Sequence, residues 1–512
     1  MVYHPAYSRS NLTEAPVVRH TMWPGRRSTD RSDLVVARTI VKGAQRMYTF
    51  NAHRDVLSDA DLLIEGGTIV SVGHDIVPRE SDRVIDASEH LVMPGLINTH
   101  HHFFQNVTRA VPTTFRSTIL DWLKDSYLLW AGLDPEIVYW ATQLATAELL
   151  LSGCTTTADF AYLYPSGRTS LFDEEVKAVQ EMGIRFHGVR GCTPVLEEPV
   201  ADALRALGVD ATQFIEDEAS IYAACASAVE RHHDPGYGAM VRVAVGPTQT
   251  HYRRPEFMSG LKQFARDRGI QTHVHFHPRP DERALTKQLY GMTPHEFLDR
   301  NGWLDQQTWV AHASEHLPEE IALLAERGTG MSHCPGCIMR LGMKVTKVPQ
   351  MLAAGVDVSI GVDGGASNDS GSMLPELRNA LMIHRLKGVH PEIGPDGWLG
   401  PDDVLAMATT GGASVLGRSD IGALEPGLMA DLVLIKTSTI GLAGSFDPLG
   451  ALLFTATPGL VDYTIVNGEI VVADGRLTSG REHEIVENAN RAAKSLAEKA
   501  RNSFGIDLGY GW

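Results

Sequence analysis

Two short histidine clusters carry the clearest chemical signal in the chain. Thr99-His100-His101-His102 follows an apolar run, and on an extended strand alternate residues share a face. His100 and His102 therefore aim together while His101 points away, giving a two-point grip on a metal from one rigid element. His273-Val-His275-Phe-His277 repeats the pattern with all its imidazoles on one face, so either His273 or His275 can complete a three-nitrogen site. Gly361-Val-Asp363-Gly-Gly-Ala sets an acid between an apolar run and a glycine-rich turn. A carboxylate buried without a partner costs too much to be incidental, so Asp363 calls for a metal or a cation beside it. His312, ending Trp309-Val-Ala-His312, adds a further imidazole in the same layer.

These segments are far apart in sequence and need a scaffold that delivers them to one place. Apolar strand-like runs alternate eight times with helical stretches, with strand ends expected near His100, Asp159, Arg190, Gly246, His277, His312, Cys334 and Asp363. Helical apolar spacing marks 135–151 and 318–327. Repeated β-then-α units imply a parallel sheet, and eight of them a closed barrel. The expected fold is α/β, a (β/α)8 TIM-type barrel over residues 94–421, whose C-terminal face is where barrel enzymes keep their chemistry. Residues 34–93 and 422–480 read as short strands with hairpin turns at Gly66-Gly67 and Asn467-Gly468. Neither set buries a core alone, so the two ends are expected to build one small β-sandwich. Residues 1–33 read as a flexible arm, and 481–512 as a charged C-terminal helix and tail.

Composition narrows the class. With 43% hydrophobic and 21% charged residues, the chain is an ordinary globular protein. A formal charge of −17 argues against a nucleic-acid partner and fits a cytoplasmic enzyme. Five cysteines, odd in number and sparse, describe no disulfide framework, and Cys334-Pro-Gly-Cys337 reads as two small residues at a strand end. No apolar run reaches the ~18 residues of a membrane span. Arg26-Arg27 is followed only by a short apolar stretch interrupted by Arg38, so no signal core is expected.

Val92-Met-Pro-Gly-Leu-Ile-Asn-Thr-His-His-His-Phe-Phe-Gln105 resembles the strand-one signature of the amidohydrolase superfamily. Val310-Ala-His312, Ser332-His-Cys-Pro335 with Met339-Arg-Leu-Gly342, and Gly361-Val-Asp-Gly-Gly-Ala-Ser-Asn-Asp-Ser370 are similar to its aminohydrolase branch. That branch includes 8-oxoguanine and isocytosine deaminases and hydroxyatrazine ethylaminohydrolase. The resemblance runs over nearly the whole chain from about Leu34. It implies metal ligation by His100, His102, His275 and Asp363, favouring His275 over His273 because Phe276 and Asp281-Glu282 follow at the family's spacing. The binuclear branches carry a bridging lysine on strand four, and 241–251 contains none, so one divalent metal is expected, zinc first and iron second. A homodimer or higher homo-oligomer is the family's expectation.

The implied reaction is hydrolysis of a C–N bond of a small N-heterocycle by metal-activated water, with Asp363 taking the proton and His312 steadying the attacked oxygen or the water. Gln105, Arg190 and Arg340 match positions that face the ring in relatives. For the two arginines, a salt bridge tying loops to the barrel is the competing role. The pattern breaks at Pro278, where the branch usually places a glutamate acid. Three readings follow: His277 substitutes as the proton carrier, the substrate is a cyclic amide, urea or carbon–halogen compound that does not need the acid, or the chain binds metal without activity. Phe160 and Ala161 stand where purine and pyrimidine deaminases of the branch carry histidines, so a less polar pocket is expected.

Overall fold

The computed structural model describes residues 38–250, 254–455 and 459–511; the arm expected over 1–33 lies outside them. Eight parallel strands close into a barrel in sequential order: Leu96–Asn98, Cys154–Ala161, Arg185–Cys192, Val241–Pro247, Thr272–Phe276, Thr308–His312, Gly330–His333 and Val358–Ile360. Ile360 pairs with Asn98 to shut the ring. They are referred to below as barrel strands one to eight. Strand two is buried at every position and strand six likewise, as a parallel sheet covered by helices requires.

The helices begin where their chemistry says they should. Pro135–Leu151 starts on Asp134, whose carboxylate accepts the Ile137 amide, with proline at the first turn where its missing N–H is no loss. Pro318–Arg327 ends on Gly328 at φ 69°, the left-handed stop that glycine takes without strain. Both helices fall on the residues marked by apolar spacing.

Strand one is shorter than its apolar pattern suggests. It ends at Asn98, and His101–His102 instead forms a separate two-residue pairing with Asp363–Gly364. The chain leaves the barrel wall here because the Thr99 and Asp363 amides bond to Ile360 O and His100 O. His100 is thus aimed by a turn held between strands one and eight, and not by strand alternation alone.

Strands from both ends of the chain meet beside the barrel. His90–Pro94 pairs antiparallel with Leu432–Lys436 inside a seven-stranded sheet, and a four-stranded sheet from Arg38 to Asp86 faces it. Val41, Leu62, Ile64, Val92, Leu432 and Ile465 form the apolar filling between them. The two hairpins turn at Gly66-Gly67 (φ 56° and 87°) and Asn467-Gly468 (φ 52° and 78°), the positive-φ pairs of tight two-residue turns. The C-terminal helix, Glu482–Phe504, lies against Pro135–Leu151, and Lys499 Nζ reaches Asp134 at 2.6 Å.

Candidate metal centre

Barrel strands one, five, six and eight deliver their polar side chains to the C-terminal mouth. His102 Nε2 lies 3.2 Å from Asp363 Oδ1, and His100 Nε2 lies 3.4 Å from the same oxygen. His275 Nε2 approaches His102 Nε2 to 3.1 Å. His100, His102 and His275 form one group of ligand atoms lying within 4.8 Å of one another, and His100, His312 and Asp363 form a second. The backbone is bent to achieve this: His312 and Asp363 sit at φ 71° and 58°, conformations that non-glycine residues rarely adopt and that cost ~1–3 kcal/mol each.

The hydrogen-bond partners behind the cluster set the imidazole tautomers. His102 Nδ1 donates to Phe160 O at 2.9 Å and His275 Nδ1 to Thr248 O at 2.8 Å, because a carbonyl can only accept. His273 Nδ1 donates to Trp309 O at 2.9 Å, which leaves its Nε2 to accept from His100 Nδ1 at 2.8 Å. All three inner Nε2 atoms therefore carry lone pairs pointed at one another. Burial drives the His100 and His275 pKa values well below the ordinary imidazole range, so protons do not fill the gap. Burial alone would raise the Asp363 carboxyl, but the His100, His102 and His312 imidazoles around it outweigh that and hold it well below its usual range. Converging lone pairs, a buried carboxylate and an unpartnered His100 Nε2 fit a divalent cation.

His273 is the orienting partner of His100 in this geometry, with its ring stacked on Trp309 at 4.3 Å. Strand alternation leaves His273 and His275 as equal candidates and the family spacing favours His275; the packing gives the two rings different carbonyl partners, Trp309 and Thr248. His277 lines the mouth, its ring stacked on His312 at 4.4 Å and its Nδ1 3.1 Å from Ser314 Oγ. Burial, with His312 and Arg279 adding to it, holds its pKa well below the ordinary imidazole value, so His277 is neutral at pH 7. Pro278 opens the turn into helix Pro280–Tyr290 and is not part of the mouth.

Gln105 faces the mouth fully buried, with neither amide atom hydrogen-bonded. The structure does not bring Arg190 or Arg340 there. Arg190 is buried in an ion pair with Glu216 at 2.5 Å and lies over the Tyr164 ring, because its position on strand three points it outward to the helices. Arg340 pairs with Asp369 at 2.7 Å and reaches Thr114, tying loops together. The competing structural role is the one both arginines occupy.

Trp122, Tyr127 and Tyr162 wall the mouth, while Phe160 packs 4.9 Å from His275 behind it. Cys337 is the site residue that its sequence context disguised. Its thiol lies close to the Asp363 carboxylate, carried by the short helix Pro335–Arg340 after strand seven, where the sequence suggested only a small residue at a strand end. Arg279 and Glu197, 3.8 Å apart, stand at the outer rim.

A model of the amidohydrolase family matches residues 91–471. An 8-oxoguanine deaminase of Pseudomonas aeruginosa is 38% identical over 442 residues, 86% of this chain and 95% of that protein. A hydroxydechloroatrazine ethylaminohydrolase of a Pseudomonas species is 34% identical over 472 residues, 88% of this chain and 94% of that protein. Among solved structures, atrazine chlorohydrolase from Arthrobacter aurescens complexed with zinc superposes with a TM-score of 0.83 at 32% identity, over 89% of this chain and all (100%) of that one.

Proposed function

The chain belongs to the amidohydrolase family, and on that premise we propose that it hydrolyses a C–N bond of a small N-heterocycle with one divalent metal at the barrel mouth. The observation that carries the reading is the convergence of three imidazole lone pairs and the Asp363 carboxylate on one buried point. His100, His102, His275 and Asp363 are the proposed ligands, with His312 beside them. Zinc is the favoured metal, since the solved relative is described with zinc and a His3Asp set suits it; iron is the alternative.

The balance is an amino-substituted ring carbon plus water, giving the oxo ring and ammonia or an amine. When bound, the cation makes water nucleophilic at neutral pH. Asp363 takes the proton that the attacking water loses. His312, held through its carbonyl by Thr346 at 2.6 Å, orients the attacked atom. His277, neutral and stacked on His312, relays a proton to the leaving nitrogen in place of the family's glutamate. Gln105 presents a free donor and a free acceptor to the ring edge.

A second reading has a specific basis. Pro278 cannot donate a proton, and a halide leaving group needs none; the solved relative is described as a chlorohydrolase. The deciding experiment incubates zinc-loaded protein with aminopyrimidines, aminopurines, pterins, aminotriazines, cyclic ureas and chlorotriazines, recording ammonia, amine and chloride release. Ammonia or amine release supports the first reading and chloride alone the second. Silence across the panel at full metal occupancy would defeat both.

The proposal includes a barrel over 94–421, a sandwich from 34–93 and 422–480, a cytoplasmic location and a homodimer. Sedimentation tests the last, and a monomer at micromolar concentration counts against it.

A further inference from the structure

The opposite end of the barrel holds a second polar cavity that the metal centre does not use. It lies at the N-terminal ends of strands three, four and five, with about 420 Å³ of free space partly open to solvent. His187 and Arg242 are register partners on neighbouring strands and line it side by side, with His233 and Gln271 completing the polar wall. Trp309 separates this cavity from the metal cluster: His187 meets one side of the indole at 5.4 Å and His273 stacks on it at 4.3 Å.

Several of its polar atoms are left without protein partners. His187 is 2% exposed, and neither ring nitrogen is hydrogen-bonded. Burial, with the neighbouring Arg242 adding to it, keeps His187 neutral, so it offers one N–H and one lone pair. Arg242 Nε is buried and unpartnered, and its outer nitrogens make only long bonds to Gly417 O (3.3 Å) and Gly236 O (3.4 Å). Among the described residues no carboxylate lies within ion-pair reach of Arg242. Asp420 spends both oxygens on Arg418, and Asp234 Oδ1 caps the Gly236 amide. His233 Nδ1 accepts the Val243 amide at 3.0 Å, which makes its other nitrogen a donor. Gln271 donates to Val415 O at 3.1 Å and leaves its oxygen as a free acceptor.

A guanidinium without a carboxylate partner, beside imidazole donors, suits an anion. The free acceptors, Gln271 Oε1 and one His187 nitrogen, call for a ligand that also carries a hydrogen. We propose that this cavity binds a small hydrogen-bearing oxyanion, of the hydrogen-phosphate or bicarbonate class. Sulfate has the same shape as phosphate but no hydrogen at neutral pH, so it lacks the second half of the match.

The test is calorimetric titration of the metal-loaded protein with inorganic phosphate, bicarbonate, sulfate and chloride at matched ionic strength, with thermal midpoints recorded in parallel. Saturable binding of phosphate or bicarbonate is expected, about tenfold or more tighter than chloride and several-fold tighter than sulfate. The better of the first two identifies the source. Arg242→Gln should weaken binding about tenfold or more while leaving metal content and turnover unchanged. Gln271→Met should erase the preference over sulfate, and it serves as the second probe if the arginine variant is unstable. Absence of saturable binding, which would mean that water alone fills the cavity, overturns the proposal. Equal binding by wild type and Arg242→Gln overturns it too, because the anion is then at the metal. Sulfate binding as tightly as phosphate overturns the requirement for a hydrogen.

Discussion

His273 touches no substrate in the proposed reaction, yet its Nε2 is what holds the His100 Nδ1 proton and so frees His100 Nε2. Partners of this kind typically control metal affinity by ~10–100-fold. His273→Ala should therefore weaken metal retention by about that factor in chelator competition, and unchanged retention would assign His100 another anchor. His277→Ala should keep its metal and lose turnover by ~10²–10⁴-fold on aminoheterocycles; full activity eliminates it as the proton relay. Glu376 titrates in a different part of the wall, behind strand seven. Burial pushes its carboxyl up to about 8, against hydrogen bonds from Gly336 N and Asn368. The native chain thus holds this proton more tightly than the unfolded chain. That stabilisation is fully present below the unfolded value of 4.5 and is lost as pH rises through about 8. Glu376→Gln does not titrate, so its stability relative to wild type should climb between about pH 5 and 8, by on the order of a few kcal/mol in urea unfolding. A pH-independent difference would contradict this reading of Glu376.

At the scale of elements, the site depends on two short turns more than on the strands that carry them. Phe103–Val107 presents Gln105 to the mouth, and the turn is pinned by the Phe103 amide on Asp159 Oδ1 at 2.5 Å. Burial raises the Asp159 carboxyl, and burial with the charge of Asp159 raises neighbouring Glu175 further, so the pair retains a proton. Across from it, Gly364 approaches so closely that an added Cβ would overlap Gln105 Oε1. Gly364→Ala must displace the glutamine, while Asp363 keeps its place through its own amide on His100 O. The expected result is a raised KM with metal content intact; loss of metal instead would show that the turn also sets the ligands.

For the whole molecule, the barrel and the terminal sheets are joined by buried charge as well as by apolar packing. Arg185, the first residue of strand three, makes a two-pronged ion pair with Asp431 at 2.7 and 2.9 Å, and neither side chain is exposed. Asp431 also accepts the Asn467 amide at the hairpin turn, so one carboxylate links barrel, sheet and turn. Arg185→Met leaves that carboxylate buried and unpaired, at a cost of ~3–5 kcal/mol, and should lower the thermal midpoint markedly. Arg185→Met combined with Asp431→Leu should recover part of the loss. Failure of the double variant to recover any would place the cost in packing, not charge.

The sequence by itself determined the architecture and the inner ligand candidates. Eight apolar runs punctuated by helical spacing specify a parallel barrel, and the His-x-His and Gly-x-Asp patterns sit at strand ends because polar side chains survive only where the wall opens. Helices 135–151 and 318–327 were readable to the residue, since proline starts and a glycine or polar stop are local chemistry. Tertiary structure decided whatever depends on a partner distant in sequence. It gave His275 and His273 their separate carbonyl partners, Thr248 and Trp309, turned Arg190 and Arg340 away to Glu216 and Asp369, and brought the Cys337 thiol near Asp363. A residue's type and spacing fix what it can do; which neighbour satisfies its hydrogen bonds and charge is set only when remote strands close on one another.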